Sequence, residues 1–417
     1  MHLVERHLVK QDDPRFAVLD TAAFASKNLY NQANYQIRQT YTQEDKYLSY
    51  VEVFHRVKGM ECYKALPAKV ANSILILLHK NWISFFEAKK AYQEDPSRFT
   101  GRPTLPKYKD KIKGRNILIY DKQALGKRAF KKTAKLIPSG LPIEIDTCVA
   151  EFWQIAQVRV VPCSDGYMIE VVYEQQEEQG QADVDPALVA AIDVGVNVLA
   201  ALTSNKPGFV PRVLSGKPIK SLNQGYNKQR AQAQSRLSRE KRLTSRQLDR
   251  RTTKRNRRVE HYLHTASRRI IDLLVEESIG TLVIGKNPLW KQEVSMGKRN
   301  NQSFVQIPHA RFIDQLTYKA KLVGIRVILA EESYTSKASF LDRDPIPTYR
   351  ADQTNPAVFS GKRIARSWYR AKDGQIIHAD VNGSYNILRK SSSDLSQLGR
   401  GVGGSCSSPQ AAGRLNG

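Results

Sequence analysis

Leu188-Val189-Ala190-Ala191-Ile192-Asp193-Val194-Gly195-Val196-Asn197 decides the fold of the second half of the chain. Its apolar residues run on without alternation, the pattern of a strand covered on both faces in a parallel or mixed α/β sheet. An acid closes the run, so a carboxylate projects from a strand end, and Gly195 leaves backbone room beside it. A D-x-G at a strand end is also common turn chemistry. Val198 to Thr203 reads as the next strand. Thr281-Leu282-Val283-Ile284 and Ile325-Arg326-Val327-Ile328-Leu329-Ala330 read as two further buried strands, with a helix from Phe304 to Gly324 between them.

Between the second and third of these strands, Tyr226 to Arg269 is helix-permissive and strongly basic. From Lys228 to Arg258 it carries thirteen Lys and Arg opposed only by Glu240 and Asp249. A solvated helical hairpin is one reading. Contact with a sugar-phosphate backbone is the stronger one, since unpaired cations at this density repel each other without an anionic partner. Lys228, Arg230, Arg250, Arg251, Lys254, Arg255, Arg257 and Arg258 are the candidate contacts.

Toward the N-terminus the texture is helical. Ala68 to Tyr92 places Val70, Ile74, Leu77, Leu78, Trp82 and Phe85 at spacings of three and four, and Thr21 to Tyr41 repeats the pattern with many amides on its other side. Pro96, Gly101, Pro103 and Pro106 then forbid a helix, and Lys107, Tyr108, Lys109 and Lys111 in that stretch are further candidate contacts to nucleic acid. Short apolar runs from Asn116 to Tyr173 predict a small β-rich, barrel-like domain. The acidic stretch Glu174 to Asp185 reads as a linker. Pro345 to Lys372 reads as loop, Asp380 to Lys390 as a short helix, and residues 391–417 as a disordered Ser/Gly tail.

Over its 417 residues the chain carries 66 Lys+Arg against 40 Asp+Glu, a formal charge of +26, and such a surface seeks a polyanion. An anionic membrane surface is the minor rival. No apolar run approaches the roughly 20 residues of a membrane span, and the first residues lack a secretory plan, so a cytoplasmic, nucleoid-associated location in a prokaryote is expected. Cys62, Cys148, Cys163 and Cys406 are scattered without a C-x-x-C pair, which excludes a disulfide framework and a self-contained zinc ribbon.

A second acid stands in His378-Ala379-Asp380-Val381-Asn382-Gly383-Ser384-Tyr385-Asn386-Ile387, where it either caps the following helix or binds a metal. With both acids in view, the chain resembles the TnpB (OrfB) family of insertion-sequence proteins, RNA-guided DNA endonucleases related to type V CRISPR effectors. The resemblance spans roughly residues 15–390. It rests on Leu29-Tyr30-Asn31-Gln32-Ala33, Phe99-Thr100-Gly101-Arg102-Pro103, Leu105-Pro106-Lys107-Tyr108, Ile192-Asp193-Val194-Gly195, Leu316-Thr317-Tyr318-Lys319-Ala320, Tyr334-Thr335-Ser336-Lys337 and the Asp380 to Ile387 motif. It implies a multidomain α+β chain: a helical recognition region with a barrel-like wedge over 1–179, then an α/β RNase H-like (RuvC) nuclease domain over 187–390. It also implies that Asp193 and Asp380 are the first and last metal ligands, with Mg2+, as two ions, as cofactor.

The chain departs from the family at two places. The family's middle Glu, at the end of the strand Val283-Ile284, is missing; Gly285-Lys286-Asn287 stands there. Either the nuclease is dead or another acid reaches the metals, and Glu331 and Glu332, which end the neighbouring strand, are the candidates. Alternating strand geometry lets only one of the two face the metals. The family's zinc ribbon is also lost, because residues 335–375 contain no cysteine, and zinc is not expected. Trp368 and Tyr369 supply packing there or stack on a base.

The expected function is RNA-guided, transposon-encoded cleavage of double-stranded target DNA by two-metal phosphodiester hydrolysis, with a guide RNA as partner and no membrane or small-molecule substrate. A nuclease-dead guided DNA-binding protein and a transposase acting on element ends are the alternatives.

Overall fold

The computed structural model describes residues 1–175, 182–287, 297–348, 357–395 and 413–415. The chain divides into two units, Met1–Gln176 and Glu177–Gly417. Part of the acidic linker and most of the tail lie outside the described residues.

In the first unit, strand β1 (His2–Lys10) leads into helices α1 (Phe16–Glu44), α2 (Tyr50–Val57), α3 (Glu61–Lys64) and α4 (Ala68–Glu94). Then come β2 (Leu118–Asp121), α5 (Lys127–Thr133), the two-residue strands β3 (Lys135–Leu136) and β4 (Ile145–Asp146), and the hairpin β5 (Ile155–Cys163) and β6 (Gly166–Glu174). The sheet order is β1-β6-β5-β2, antiparallel throughout. The predicted barrel is corrected: β1 and β2 are the two edges of an open sheet and do not pair with each other. Closure is unnecessary because helices cover the apolar face instead. Leu19, Ala23, Leu29, Ile74, Leu78 and Trp82 share one core with Val158, Val160, Ile169 and Val171.

The amides of α1 have a specific task. The Pro-punctuated segment has no regular partners for its backbone, and α1 supplies them at helical spacing. Lys27 Nζ donates to Lys111 O (2.7 Å), Asn31 exchanges bonds of 2.9 Å with Lys109, and Asn34 Nδ2 donates to Pro106 O (2.9 Å). Buried Asn34 also accepts from the Trp82 indole at 3.0 Å. Asn34→Leu orphans both the indole N–H and the Pro106 carbonyl, and is expected to destabilise the unit by about 1–3 kcal/mol. A lowered urea midpoint with an unchanged slope is the expected readout.

The second unit begins with β7 (Asp185–Asp193), β8 (Val198–Ser204) and β9 (Arg212–Ser215), a meander of antiparallel neighbours. Helices α6 (Lys217–Arg239) and α7 (Arg246–Glu276) follow, then β10 (Ile279–Gly285), α8 (Lys298–Val305), α9 (His309–Leu322) and β11 (Arg326–Ala330). The small strands β12 (Lys362–Ala365), β13 (Trp368–Arg370) and β14 (Ile376–His378) precede α10 (Ala379–Leu395), and β15 (Gly413–Leu415) ends the unit. The main sheet runs β11-β10-β7-β8-β9-β15, with β10 parallel to both β7 and β11. Both faces are covered, as the continuous apolar runs require. Val259, Leu263 and Ile270 of α7 and Phe312 and Leu316 of α9 pack with Ile192, Leu282 and Ile284 on one face, while Ile387 and Leu388 of α10 pack with Ala191 and Val283 on the other.

Two expectations from the sequence change here. The loop predicted over Pro345 to Lys372 contains β12 and β13, paired antiparallel and extended by β14. The tail predicted to be disordered from 391 continues α10 to Leu395 and adds Gly413–Leu415 to the sheet edge beside β9. Short exposed strands such as β12 have no apolar run to announce them, and pairing alone defines them.

Candidate catalytic carboxylates and nucleic-acid interface

The acids meet at the carboxyl ends of the parallel strands, the usual crevice of an open α/β sheet. Asp193 is the last residue of β7, and Glu331 and Glu332 directly follow β11. Gly285 ends β10 in register with Ala330, so the strand carrying the two glutamates lies beside the one without an acid. Asp380 stands in the first turn of α10.

The two glutamates have different surroundings. Glu331 is ion-paired to Lys390 Nζ and accepts a 2.7 Å bond from the Ser333 amide. Burial pushes its carboxyl up, but Lys390 and Ser333 outweigh that and hold it below the usual range. Among the described residues, Glu332 has no such cation. Burial, then the charge of Glu331, pushes its carboxyl up to about 7. Its backbone is fixed by donation to Asn287 Oδ1 at 3.0 Å and by a carbonyl that accepts from Thr335 Oγ1 at 2.8 Å.

Gly285 explains where the Glu332 carboxylate sits. A Cβ at Gly285 would lie 2.7 Å from Glu332 Oε2 and 2.6 Å from Ile387 Cδ1. The side chain of the neighbouring strand therefore fills the space that a residue at 285 would enter. The same economy operates on the other side: a Cβ at Gly383 would lie 2.6 Å from Asp193 Oδ2, so only glycine lets α10 approach this close. Burial, then Glu332, then Asp380 pushes the Asp193 carboxyl up to about 8, and Arg363 offsets part of this.

Arg363 of β12 was not singled out by the sequence. Its Nη2 lies 3.5 Å from Asp380 Oδ1, and it is held by bonds to the Arg366 carbonyl. The Asp380 amide donates to His378 Nδ1 at 3.3 Å, and burial lowers the His378 pKa against the opposing charge of Asp380.

The rest of the Asp380 motif is scaffolding. Asn382 Nδ2 donates to Ala338 O at 2.8 Å and its Oδ1 accepts from the Phe340 amide at 2.9 Å. Asn386 Nδ2 reaches Thr335 O and Ala338 O at 2.9 and 2.7 Å, and Ser384 Oγ donates to Ala191 O at 2.8 Å. All three side chains are buried. They tie the 335–344 turn and strand β7 to α10, a polar knot in a segment without cysteine. Tyr369 is buried and donates to Lys337 O at 2.8 Å, whereas Trp368 is half exposed.

Among the described residues, no three carboxylate, imidazole or thiol groups form a preformed metal cage. The donor set nevertheless suits a hard cation. Asp193, Glu332 and Asp380 offer only oxygen, the ligand type of Mg2+, and their mutual repulsion is what a divalent charge relieves.

The candidate contacts to nucleic acid separate by exposure. Lys107, Tyr108, Lys109 and Lys111 are exposed, and the Arg38 guanidinium lies 4.8 Å from the Tyr108 ring centre. On α6 and α7, Lys228, Arg230, Arg250, Lys254 and Arg258 are exposed, while Arg251, Arg255 and Arg257 are partly covered. Arg255 serves the fold: Nε donates to Asn223 Oδ1 (2.7 Å) and Nη2 to Gln306 O (3.2 Å). Among the described residues no helix is long and apolar enough to cross a membrane.

Residues 170–290, which include Asp193 and Gly285, match the OrfB_IS605 family, described as "Probable transposase". Residues 309–387, which include both glutamates, Arg363 and Asp380, match the Cas12f1-like TNB domain. The TnpB-like protein ORF457 of Acidianus two-tailed virus is 23% identical over 399 residues, spanning 88% of this chain and 81% of that protein. Among solved structures, a Cas12f1-sgRNA-target DNA complex is similar with a TM-score of 0.48 and 15% identity, over 89% of this chain and 82% of that one. The mini-RNA-guided endonuclease CRISPR-Cas_phi3 is similar with a TM-score of 0.41 and 10% identity, over 97% and 94%.

Proposed function

We propose, on the premise that this chain is similar to the TnpB (OrfB) family, that it is an RNA-guided, Mg2+-dependent DNA endonuclease whose second unit is an RNase H-like nuclease domain with a relocated middle carboxylate. The sheet order supports the fold assignment: a three-stranded antiparallel meander extended by two parallel strands, with Asp193 on the first. One observation carries the catalytic reading. The Glu332 carboxylate lies against the place a side chain at 285 would occupy, and its charge raises Asp193.

In this reading Asp193, Glu332 and Asp380 would hold the cations, which when bound would supply Lewis acidity for attack of water on the phosphodiester and for departure of the 3′ oxygen. Lys390 engages Glu331 in an ion pair of its own. Arg363, paired with Asp380, places a positive charge beside the acids that would favour an anionic phosphate there. The guide RNA reads the sequence, and the protein holds the heteroduplex through its backbone.

The test is cleavage of a plasmid library with randomised flanks by the protein bound to RNA transcribed from its own locus, in Mg2+ and in EDTA. Cutting in Mg2+ only is expected. Guided binding without cutting in either would leave a nuclease-dead DNA-binding protein. The exposed cations give a second check. Changing Lys228, Arg230, Arg250, Lys254 and Arg258 together to glutamine should flatten the salt dependence of duplex DNA affinity by about 0.9 in log–log slope for each phosphate that these side chains neutralise. Arg255→Ala should instead lower stability, because its guanidinium joins α6 to the chain beyond α8.

A further inference from the structure

A cleft of about 260 Å3 lies between α6 and the α8 segment, lined by the carboxamides of Asn223, Gln224, Asn227, Gln302 and Gln306 together with Lys220. Five carboxamides around one small cavity form an unusual lining. They carry no net charge, yet offer donors and acceptors in planar pairs. Asn227 and Gln306 are already arranged this way, each donating its amide to the other's oxygen at 2.9 Å.

A second observation points to a ligand. Asn223 is 3% exposed, and its Oδ1 is taken by Arg255 Nε at 2.7 Å. Among the described residues its Nδ2 has no hydrogen-bond partner. A buried amide donor left unsatisfied is costly, and such groups are rare unless something else completes them. The cleft also adjoins the loop after Asp193. Lys220 Nζ donates to Asn197 Oδ1 at 3.0 Å, and His309, which opens α9, is 3.0 Å from the Gly195 carbonyl through Nε2.

We infer that this cleft binds an unpaired nucleobase of a single strand passing the carboxylate centre. Asn and Gln side chains make paired hydrogen bonds to base edges, with the pattern that Asn227 and Gln306 make to each other. The volume falls below the roughly 300–1,000 Å3 of pockets for drug-sized ligands and suits one heterocycle. A base entering it replaces the Asn227–Gln306 pair with its own edge and presents an acceptor to Asn223 Nδ2. The basic face of α6 then runs beside the adjoining phosphates. The inference rests on the proposed nucleic-acid reading for its class of ligand.

The experiment compares the whole protein's affinity for a fluorescent single strand and for an abasic strand of equal length and charge. Two variants are measured beside it. Asn223→Asp keeps the oxygen that Arg255 uses and turns the unpaired donor into an acceptor, and Gln224→Ala/Gln302→Ala alters exposed lining residues that leave the α6–α7 contact intact. The unaltered protein is expected to prefer the base-bearing strand by about tenfold, and both variants to lose that preference while still binding the abasic strand and melting cooperatively. Equal affinity of the unaltered protein for both strands overturns the base pocket and leaves backbone binding standing. A preference that survives in both variants places base recognition elsewhere and also overturns it. Failure to bind either strand, with or without guide RNA, overturns the nucleic-acid reading itself.

Discussion

Asp193→Asn is expected to lower Mg2+-dependent DNA cleavage by about a thousandfold or more, a loss of roughly 4 kcal/mol of transition-state stabilisation. Guided binding of DNA should persist, because the change alters one side chain of the crevice and leaves the exposed cations in place. The same substitution should stabilise the metal-free protein. In the folded chain the Asp193 carboxyl titrates at about 8 rather than 3.8, because burial and the charges of Glu332 and Asp380 oppose its ionisation. The folded state therefore keeps a proton that the unfolded chain releases, and this contribution is whole below about pH 4 and lost as pH rises toward 8. Thermal scans in EDTA at pH 5 and pH 8 should show Asp193→Asn gaining on the unaltered protein at pH 8. Each kcal/mol regained moves the midpoint by about 2–4 °C. If the variant melts no higher at pH 8, burial and the neighbouring acids do not oppose the ionisation of Asp193 as the geometry implies.

Separating the two glutamates gives the other large effect. Glu332→Gln should abolish cleavage as fully as Asp193→Asn does. Glu331→Gln should leave the rate within about tenfold and cost about 1–3 kcal/mol of stability, because it breaks the ion pair to the partly buried Lys390. Gly285→Ala supplies the complementary test. Its added Cβ would meet Glu332 Oε2 at 2.7 Å and Ile387 Cδ1 at 2.6 Å, so the carboxylate must move and cleavage should fall sharply. Loss of cleavage in Glu331→Gln with full activity in Glu332→Gln would reverse the assignment.

Much of this frame was legible without coordinates. Uninterrupted apolar runs such as Val189 to Ile192 and Leu282 to Ile284 have one stable environment, the middle of a sheet covered on both faces, and the structure puts both there. The helical stripes of α1 and α4 were legible for the same reason, as Leu29, Ala33 and Ile37 or Ile74, Leu78 and Trp82 recur at the period of one helix face. The β-rich segment of the first unit was legible as strands but not as an open sheet. Strand period says which face is buried and nothing about whether a helix or another strand covers it.

The site divides along the same line. The sequence itself placed Asp193 and Asp380 at element ends, and its resemblance to the TnpB family marked the acid missing at Gly285 and so nominated the two adjacent glutamates. Residues adjacent in sequence share composition and strand context, so no pattern distinguishes Glu331 from Glu332. The distinction rests on contacts made 59 residues away, where Lys390 pairs with Glu331, and on the empty Cβ position at Gly285 that receives Glu332. Arg363 was equally hidden among the many arginines of a basic chain, since only its 3.5 Å approach to Asp380 sets it apart. Periodicity and strand-end chemistry are local and therefore written in the sequence. Which carboxylate turns toward its neighbours depends on which cation and which vacancy the fold brings beside it, and tertiary structure alone decides that.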